Sequence, residues 1–279
     1  MTSRALRFQS QTTGNYLNDS TELAAPPATS LRALAQHARC AGNLAKGARG
    51  LRPAFWKTTG SCWLGKFPSR DDRYDVGAWE FVVHELAREA KIEVPRARLE
   101  KLTTRYGTFC VARFDRNKGH RRMFASAMTL LDRRDGADAS YLDIAQLIAD
   151  QGASKYIEDD LAQLFRRVVF NVLVSNRDDH LRNHGFLRTA SGWRLAPAFD
   201  LNPNLDKHEH ALLFDEASAE PHIDAVLATA EYYRLSAKQA GEVASNVNAV
   251  VKTWKATAVS AGLGRSEIQR MALAFERES

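Results

Sequence analysis

The stretch NVLVSNRDDHLRNHGFL, Asn171 to Leu187, decides how the whole sequence is read. It starts inside a nearly apolar run, VVFNVLV (168–174), and then sets two aspartates, two asparagines, two histidines and two arginines within nine residues. An apolar run ending this way reads as a buried helix that anchors a loop whose charges must be held in fixed positions. Asp178 and Asn183 have the spacing D-x-x-x-x-N. GFLRT and GWRLA follow as a pair of strands, a hairpin around Ala190, Ser191 and Gly192, and Asp200 in APAFDLNPN stands at its far end.

Phosphoryl transfer calls for this set of groups. One aspartate orients and accepts the proton of an attacking hydroxyl, while an amide oxygen and a second carboxylate hold Mg²⁺ against nucleotide phosphates. Protein kinases use the same five-residue offset between base and amide, with a strand pair leading to the metal-binding aspartate. A hairpin returns the chain to its start, which would bring Asp200 back toward Asn183. Upstream, Lys66 ends the apolar strand SCWLGKF (61–67), where its ammonium would reach phosphates. Glu80 on the next helix would fix it by an ion pair.

The surroundings fit a two-lobe molecule. SCWLGKF and GTFCVARFD (107–115) read as strands, with the helix GAWEFVVHELAREA (77–90) between them. Trp79, Val82, Val83, Leu86 and Ala90 share one face of that helix, and Pro95 closes the segment. LAAPPATS (23–30) is a turn or linker, and SLRALAQHA suits a short helix capped by Ser30. From about Ser126 the chain reads as mostly helical. SYLDIAQLIADQG, DDLAQLFRRVVFNVLVS, DAVLATAEYY, SAKQAGEVASNVNAVVKTWKATAVSAG and SEIQRMALAF all carry 3.6-residue apolar spacing.

Composition narrows the classes. At 279 residues, with 44% hydrophobic and 26% charged residues, the chain can bury a full core without staples. Cys40, Cys62 and Cys110 lie far apart with no CxxC pair, which argues against a disulfide framework or zinc ribbon. No signal-like leader and no membrane-length apolar run is present, so a cytoplasmic protein with no membrane association is expected. The net charge of +6 is uneven: residues 1–70 hold ten Lys or Arg against Asp19 and Glu22. An anionic partner or a merely solvated basic face would both explain that, and no nucleic-acid-binding fingerprint accompanies it.

Each element also has a plainer reading. Asp and Asn five apart recur by chance, Lys66 is by default a surface lysine and Glu80 a solvated one. Asp178, His180 and His184 offer a metal-hydrolase alternative without the HExxH pattern, and His208-Glu209-His210 reads as an exposed loop. The three-part spacing together with the lobe order favours phosphoryl transfer.

LGKFPSRDDRYDVGAWE (64–80), VARFDR (111–116), FASAMTLLD (124–132), SYLDIAQLI (140–148), VFNVLVSNRDDHLRNHGFL and GWRLAPAFDLNPN (192–204) are long, ordered motifs. In them the sequence resembles the HipA-like family, kinases of bacterial toxin–antitoxin systems, from about Arg4 to Glu276. That span corresponds to roughly the last two thirds of a full-length member. The resemblance implies an α+β, protein-kinase-like two-lobe fold, with a small β-containing lobe over residues 1–116 and a larger, mostly helical lobe over 117–279. It implies Asp178 as catalytic base, Asn183 and Asp200 as Mg²⁺ ligands, and Lys66 on the phosphates of ATP. Backbone groups of Ala112 and Phe114 would meet the adenine edge, and His180 would support the geometry of the catalytic loop.

It further implies transfer from ATP to Ser or Thr of a protein, with translation components such as aminoacyl-tRNA synthetases among the family's targets. An antitoxin protein would be the partner, and DNA would be met only through it. Two departures stand out. Where the family carries a Gly-rich loop with a regulatory serine, this chain has GARGLRPAFW (47–56), placing Gly47 at the serine and Ala54 at a lysine position. Gly47 and Gly50 remain to cradle phosphate through their backbone N–H groups. The resemblance does not extend over most of the N-terminal subdomain of larger relatives, so it does not by itself carry over the usual antitoxin contact. The altered loop leaves a nucleotide-binding pseudokinase or regulatory partner as the alternative.

Overall fold

The computed structural model describes residues 52–276 apart from 59–60, 103, 118–119, 135, 137 and 216–221. Gly47, Gly50, Cys40, the linker at 23–30 and the expected helix at 30–38 lie outside these residues. The upstream lobe is an antiparallel sheet of β1 (Arg52–Thr58), β2 (Ser61–Phe67), β4 (Thr108–Ala112) and β3 (Ala97–Glu100), in that order. Within the stretch aligned to a loop, residues 52–56 are therefore strand, and Ala54 sits opposite Gly65.

Helix α1 (Val76–Glu89) packs on β3 and β4. One oxygen of Asp75 caps it by accepting from the Ala78 N–H at 3.0 Å, and the other accepts from the Gly107 N–H at 2.9 Å. A single carboxylate thus sets the helix start against the strand that follows. The apolar face expected from spacing is the observed one: Trp79, Val82, Val83, Leu86 and Ala90 are all buried.

A short hairpin, β5 (Arg116–Asn117) and β6 (His120–Arg121), leads to β7 (Phe124–Ser126). The downstream lobe then runs through α2 (Ala127–Leu130), α3 (Tyr141–Gln151) and α4 (Ile157–Leu173). The expected hairpin is β8 (Gly185–Arg188) and β9 (Trp193–Leu195), joined by β7 into an antiparallel sheet ordered β7-β8-β9. After it come α5 (Ile223–Ala228), α6 (Ala237–Val251), α7 (Trp254–Ser260) and α8 (Arg265–Phe275). The periodic run expected as one helix over 236–262 is divided at Lys252 and Thr253, where the Thr253 hydroxyl donates back to the Val250 carbonyl at 2.7 Å.

Buried polar groups fasten the hairpin to α4. Asp160, in the first turn of α4, accepts from the Leu195 N–H at 2.9 Å and from the Arg194 guanidinium, and Arg167 donates to the Ala196 carbonyl at 2.7 Å. One hydrophobic cluster runs from Trp79 on α1 through α3 and α4 to Ala274 on α8. Among the described residues no helix is long and apolar enough to cross a membrane.

Candidate active site

The site begins at the end of α4. Ser175 takes the left-handed conformation (φ 52°), its N–H donates to the Val172 carbonyl at 3.2 Å, and the Asn176 N–H donates to the Asn171 carbonyl at 2.9 Å. This paired closure satisfies helix-end carbonyls and turns the chain sharply. Serine accepts that conformation at a cost of about 1–2 kcal/mol relative to glycine, and here its hydroxyl is held by the Ala274 carbonyl at 2.8 Å.

Half of the polar crowd after the apolar run is structural. Asp179 is buried, and one of its oxygens accepts from Tyr141 Oη (2.8 Å) and Asn171 Nδ2 (2.7 Å) and contacts His184 Nε2 (2.8 Å). These neighbours hold the Asp179 carboxyl below its ordinary value although burial pushes the other way. The loop is therefore anchored through Asp179. His180 Nε2 lies 3.2 Å from Arg182 Nη2, and its contribution to the loop is a backbone carbonyl that accepts from the Asn183 N–H at 2.8 Å. His184 is committed to Asp179, and the described residues hold no cluster of three His, Cys, Asp or Glu suited to a metal.

Asp178, next to the buried anchor, faces solvent, with 57% of its side chain exposed and its carboxylate on the Lys207 ammonium. Asn183 is almost buried, with Nδ2 3.4 Å from the Asp178 carbonyl. Two residues later β8 begins, and the Ala196 N–H donates to the Gly185 carbonyl at 2.8 Å, so the hairpin closes beside the loop. Asp200 follows in the left-handed conformation (φ 59°), an uncommon state for a residue with a side chain and one concentrated at functional sites.

Three predicted residues meet in one ion cluster. Lys66 Nζ lies 2.5 Å from Glu80 Oε1 and 2.6 Å from Asp200 Oδ1. Burial pulls the Lys66 ammonium down, but the Glu80 and Asp200 carboxylates outweigh it and hold Lys66 above its ordinary value. Burial pushes Glu80 up to about 7, with Lys66 opposing and Asp200 adding to the shift. The cluster lies at one side of a cavity of about 250 Å³ between the lobes, whose apolar wall includes Leu64, Val111, Ala198 and Phe199.

Ala112 ends β4, and its N–H donates to the Arg96 carbonyl at 2.8 Å. Phe114 packs with Phe124 and Phe199 at ring-centre distances of 6.0 and 5.7 Å.

The donor set fits Mg²⁺, a hard cation that takes oxygen ligands. Asp200 and Asn183 supply a carboxylate and an amide near the hairpin end. Sequence reasoning missed a third oxygen: Asn202 Oδ1 is buried with no hydrogen-bond partner among the described residues, while Asn202 Nδ2 donates to Asp200 Oδ1 at 3.3 Å. A buried acceptor left unsatisfied is costly, and its place beside Asp200 suits a cation. The amide two positions after Asp200 in DLNPN was the available signal.

Comparison with solved structures gives the fold. The chain matches HipA of Shewanella oneidensis MR-1, solved with HipB and operator DNA, at TM-score 0.63 and 17% identity, over 91% of this chain and 71% of that one. It matches the proinflammatory kinase CtkA of Helicobacter pylori at TM-score 0.50 and 12% identity, over 81% and 92%. The fold is thus α+β and kinase-like, as the motifs implied.

Curated relatives are a Haemophilus influenzae protein described as "Putative kinase", 35% identical over 106 residues (33% of this chain, 29% of that protein), and "Putative kinase Y4dM" of Sinorhizobium fredii, 28% identical over 162 residues (51% and 37%). The chain thus matches about a third of the length of each. The sequence profile of the HipA-like C-terminal domain matches residues 36–255, a span that takes in β2, α1, the loop after α4 and the hairpin to Asp200. The chain belongs to the HipA-like C-terminal domain family.

Proposed function

We propose that the chain is an ATP- and Mg²⁺-dependent protein kinase that phosphorylates Ser or Thr hydroxyls. The observation that carries this reading is the Lys66, Glu80 and Asp200 cluster at the side of an apolar cavity, on the same hairpin path as the exposed Asp178. The cavity would take the adenine, with the Ala112 carbonyl and Phe114 backbone at its edge. Lys66, steadied by buried Glu80, would bind phosphate oxygens; Gly47 and Gly50 would add backbone N–H groups.

Asp178 would accept the proton of the substrate hydroxyl as its oxygen bonds to the γ-phosphorus. The bond from that phosphorus to the β,γ-bridging oxygen breaks, and ADP leaves with the electron pair. Asn183, Asp200 and Asn202 would hold Mg²⁺, which when bound neutralises charge on the phosphates. His180 would shape the loop through its backbone and take no proton.

The partner reading follows from the Shewanella complex. A HipB-like antitoxin protein would restrain the kinase, DNA would be met through that partner, and the substrate would be a protein such as an aminoacyl-tRNA synthetase or another translation component. Gly47 stands where the family's regulatory serine is expected, which leaves restraint to the partner. The cytoplasm is the expected compartment.

Nucleotide binding tests the site. At 100 times its dissociation constant Mg²⁺-ATP stabilises the native state by about 2.7 kcal/mol, a rise of several degrees in melting temperature for a chain of this size. Asp200→Asn should reduce that rise, and omission of divalent metal should do the same. An equal rise in wild type and variant would remove Asp200 from the ligand set.

A further inference from the structure

Lys207 was not singled out in the sequence, yet the structure presents it to Asp178 with unusual care. Its ammonium is paired with Asp178 Oδ1. Its N–H donates to Asn204 Oδ1 at 3.1 Å, and its carbonyl accepts from Nη1 of Arg177, a side chain with no solvent exposure. On either side of Lys207, the Asn204 N–H donates to the Ser175 carbonyl at 2.8 Å and the Ala211 N–H to the Arg177 carbonyl at 3.1 Å. The segment after Asp200 is thereby stitched to the residues that lead into Asp178.

Stability does not explain this construction. The two side chains are 44% and 57% exposed, and an ion pair so open to water contributes about 0–1 kcal/mol. Position explains it better. A hydroxyl bonded to the Asp178 carboxylate carries its reacting oxygen to within one hydrogen bond of that group. An ammonium on the same carboxylate is then close enough to meet oxygens of the phosphoryl group arriving there.

We propose that Lys207 is a second phosphate-binding cation of this site, a catalytic residue that meets the transferring phosphoryl group while Lys66 serves the rest of the nucleotide. The inference rests on the kinase reading given above. Lys207 rests on Asp178, which keeps both charges compensated until substrate separates them. Charge moves onto the phosphoryl oxygens during transfer, so a cation placed there acts most strongly in the transition state.

The test uses Mg²⁺-ADP, alone and with fluoroaluminate as a mimic of the transferring phosphoryl group, on wild type, Lys207→Met and Lys207→Arg. The melting temperature of unliganded Lys207→Met should match wild type, because the pair is exposed. Its affinity for Mg²⁺-ADP should be unchanged, while its affinity for the fluoroaluminate complex should fall about 10²-fold, the scale seen when one transition-state donor is removed. Lys207→Arg should retain most of the gain. In transfer assays with labelled ATP, Lys207→Met should lower kcat without raising KM for ATP.

Full fluoroaluminate affinity in Lys207→Met, or faster transfer by it, would overturn the inference, the second outcome marking Lys207 as a block on Asp178. A wild type that fails to bind Mg²⁺-ADP would overturn the kinase reading and this inference together.

Discussion

Adjacent aspartates do opposite work at this site. Asp179 is buried beneath Tyr141, Asn171 and His184, whereas Asp178 faces solvent and Lys207. Asp179→Ala leaves three buried polar groups without their acceptor, and breaking such a buried charged network costs about 3–5 kcal/mol. Denaturant unfolding of the variant checks this, and a loss under about 1 kcal/mol would show that the loop has another anchor. The Asp179 carboxyl is depressed below its ordinary value, so its stabilisation is present above about pH 4 and disappears as pH falls through its lower folded value.

Glu80 has the opposite sign. Its folded value of about 7 exceeds the ordinary 4.5, so the folded chain holds that proton more tightly than the unfolded one. The contribution of Glu80 is greatest below pH 4.5 and declines as pH rises through about 7. Glu80→Gln should flatten the dependence of melting temperature on pH between these values. An unchanged slope would mean that Glu80 does not titrate there.

At the scale of elements, Glu80 depends on what holds α1. Its neighbour Trp79 packs against Trp254 of α7 and Phe275 of α8 at 6.1 and 6.0 Å between ring centres, and Trp254 stacks on Phe275 at 4.6 Å. Trp79 Nε1 also donates to Glu267 at 3.4 Å. The C-terminal helices therefore clamp the helix that carries the partner of Lys66. Trp254→Ala should cost about 3–5 kcal/mol by opening a cavity. It should also raise the Mg²⁺-ATP concentration needed for half-maximal thermal stabilisation; unchanged nucleotide affinity would uncouple the clamp from Glu80.

The helices were legible because their apolar faces recur every three to four residues over long runs, as in α1 and α4. Among the strands, β2, β4, β8 and β9 were legible, but β1, β3, β5 and β6 were not. β3 is half-buried at all four positions and so lacks alternation, and β5 and β6 are two residues each, too brief to carry a pattern. β1, with Pro53 and lying next to a glycine pair, resembled the loop it was aligned with. The break between α6 and α7 was hidden because Trp254 continues the apolar spacing while turning to a different partner.

Across the whole molecule, one core joins α1 to the downstream helices, and the hairpin carries the chain from Asn183 back toward Lys66 and Glu80. The sequence showed the groups whose spacing is local, Asp178 with Asn183, and those in strong motifs, Lys66, Glu80 and Asp200. It did not show Asp179 as the anchor, Asn202 as an unsatisfied oxygen or Lys207 on Asp178, because these roles arise only when distant segments are stitched together.

Transfer of labelled γ-phosphate from ATP to protein, in a cell lysate supplied with Mg²⁺, tests the central claim most directly when wild type is compared with Asp178→Ala. The account predicts phosphoserine or phosphothreonine on at least one protein with wild type, and a fall of about 10²–10⁴-fold in Asp178→Ala, which should keep its thermal shift with Mg²⁺-ATP. Equal transfer by both proteins would contradict Asp178 as the base. Binding of Mg²⁺-ATP by wild type with no transfer at all would contradict the claim itself and mark the chain as a nucleotide-binding pseudokinase.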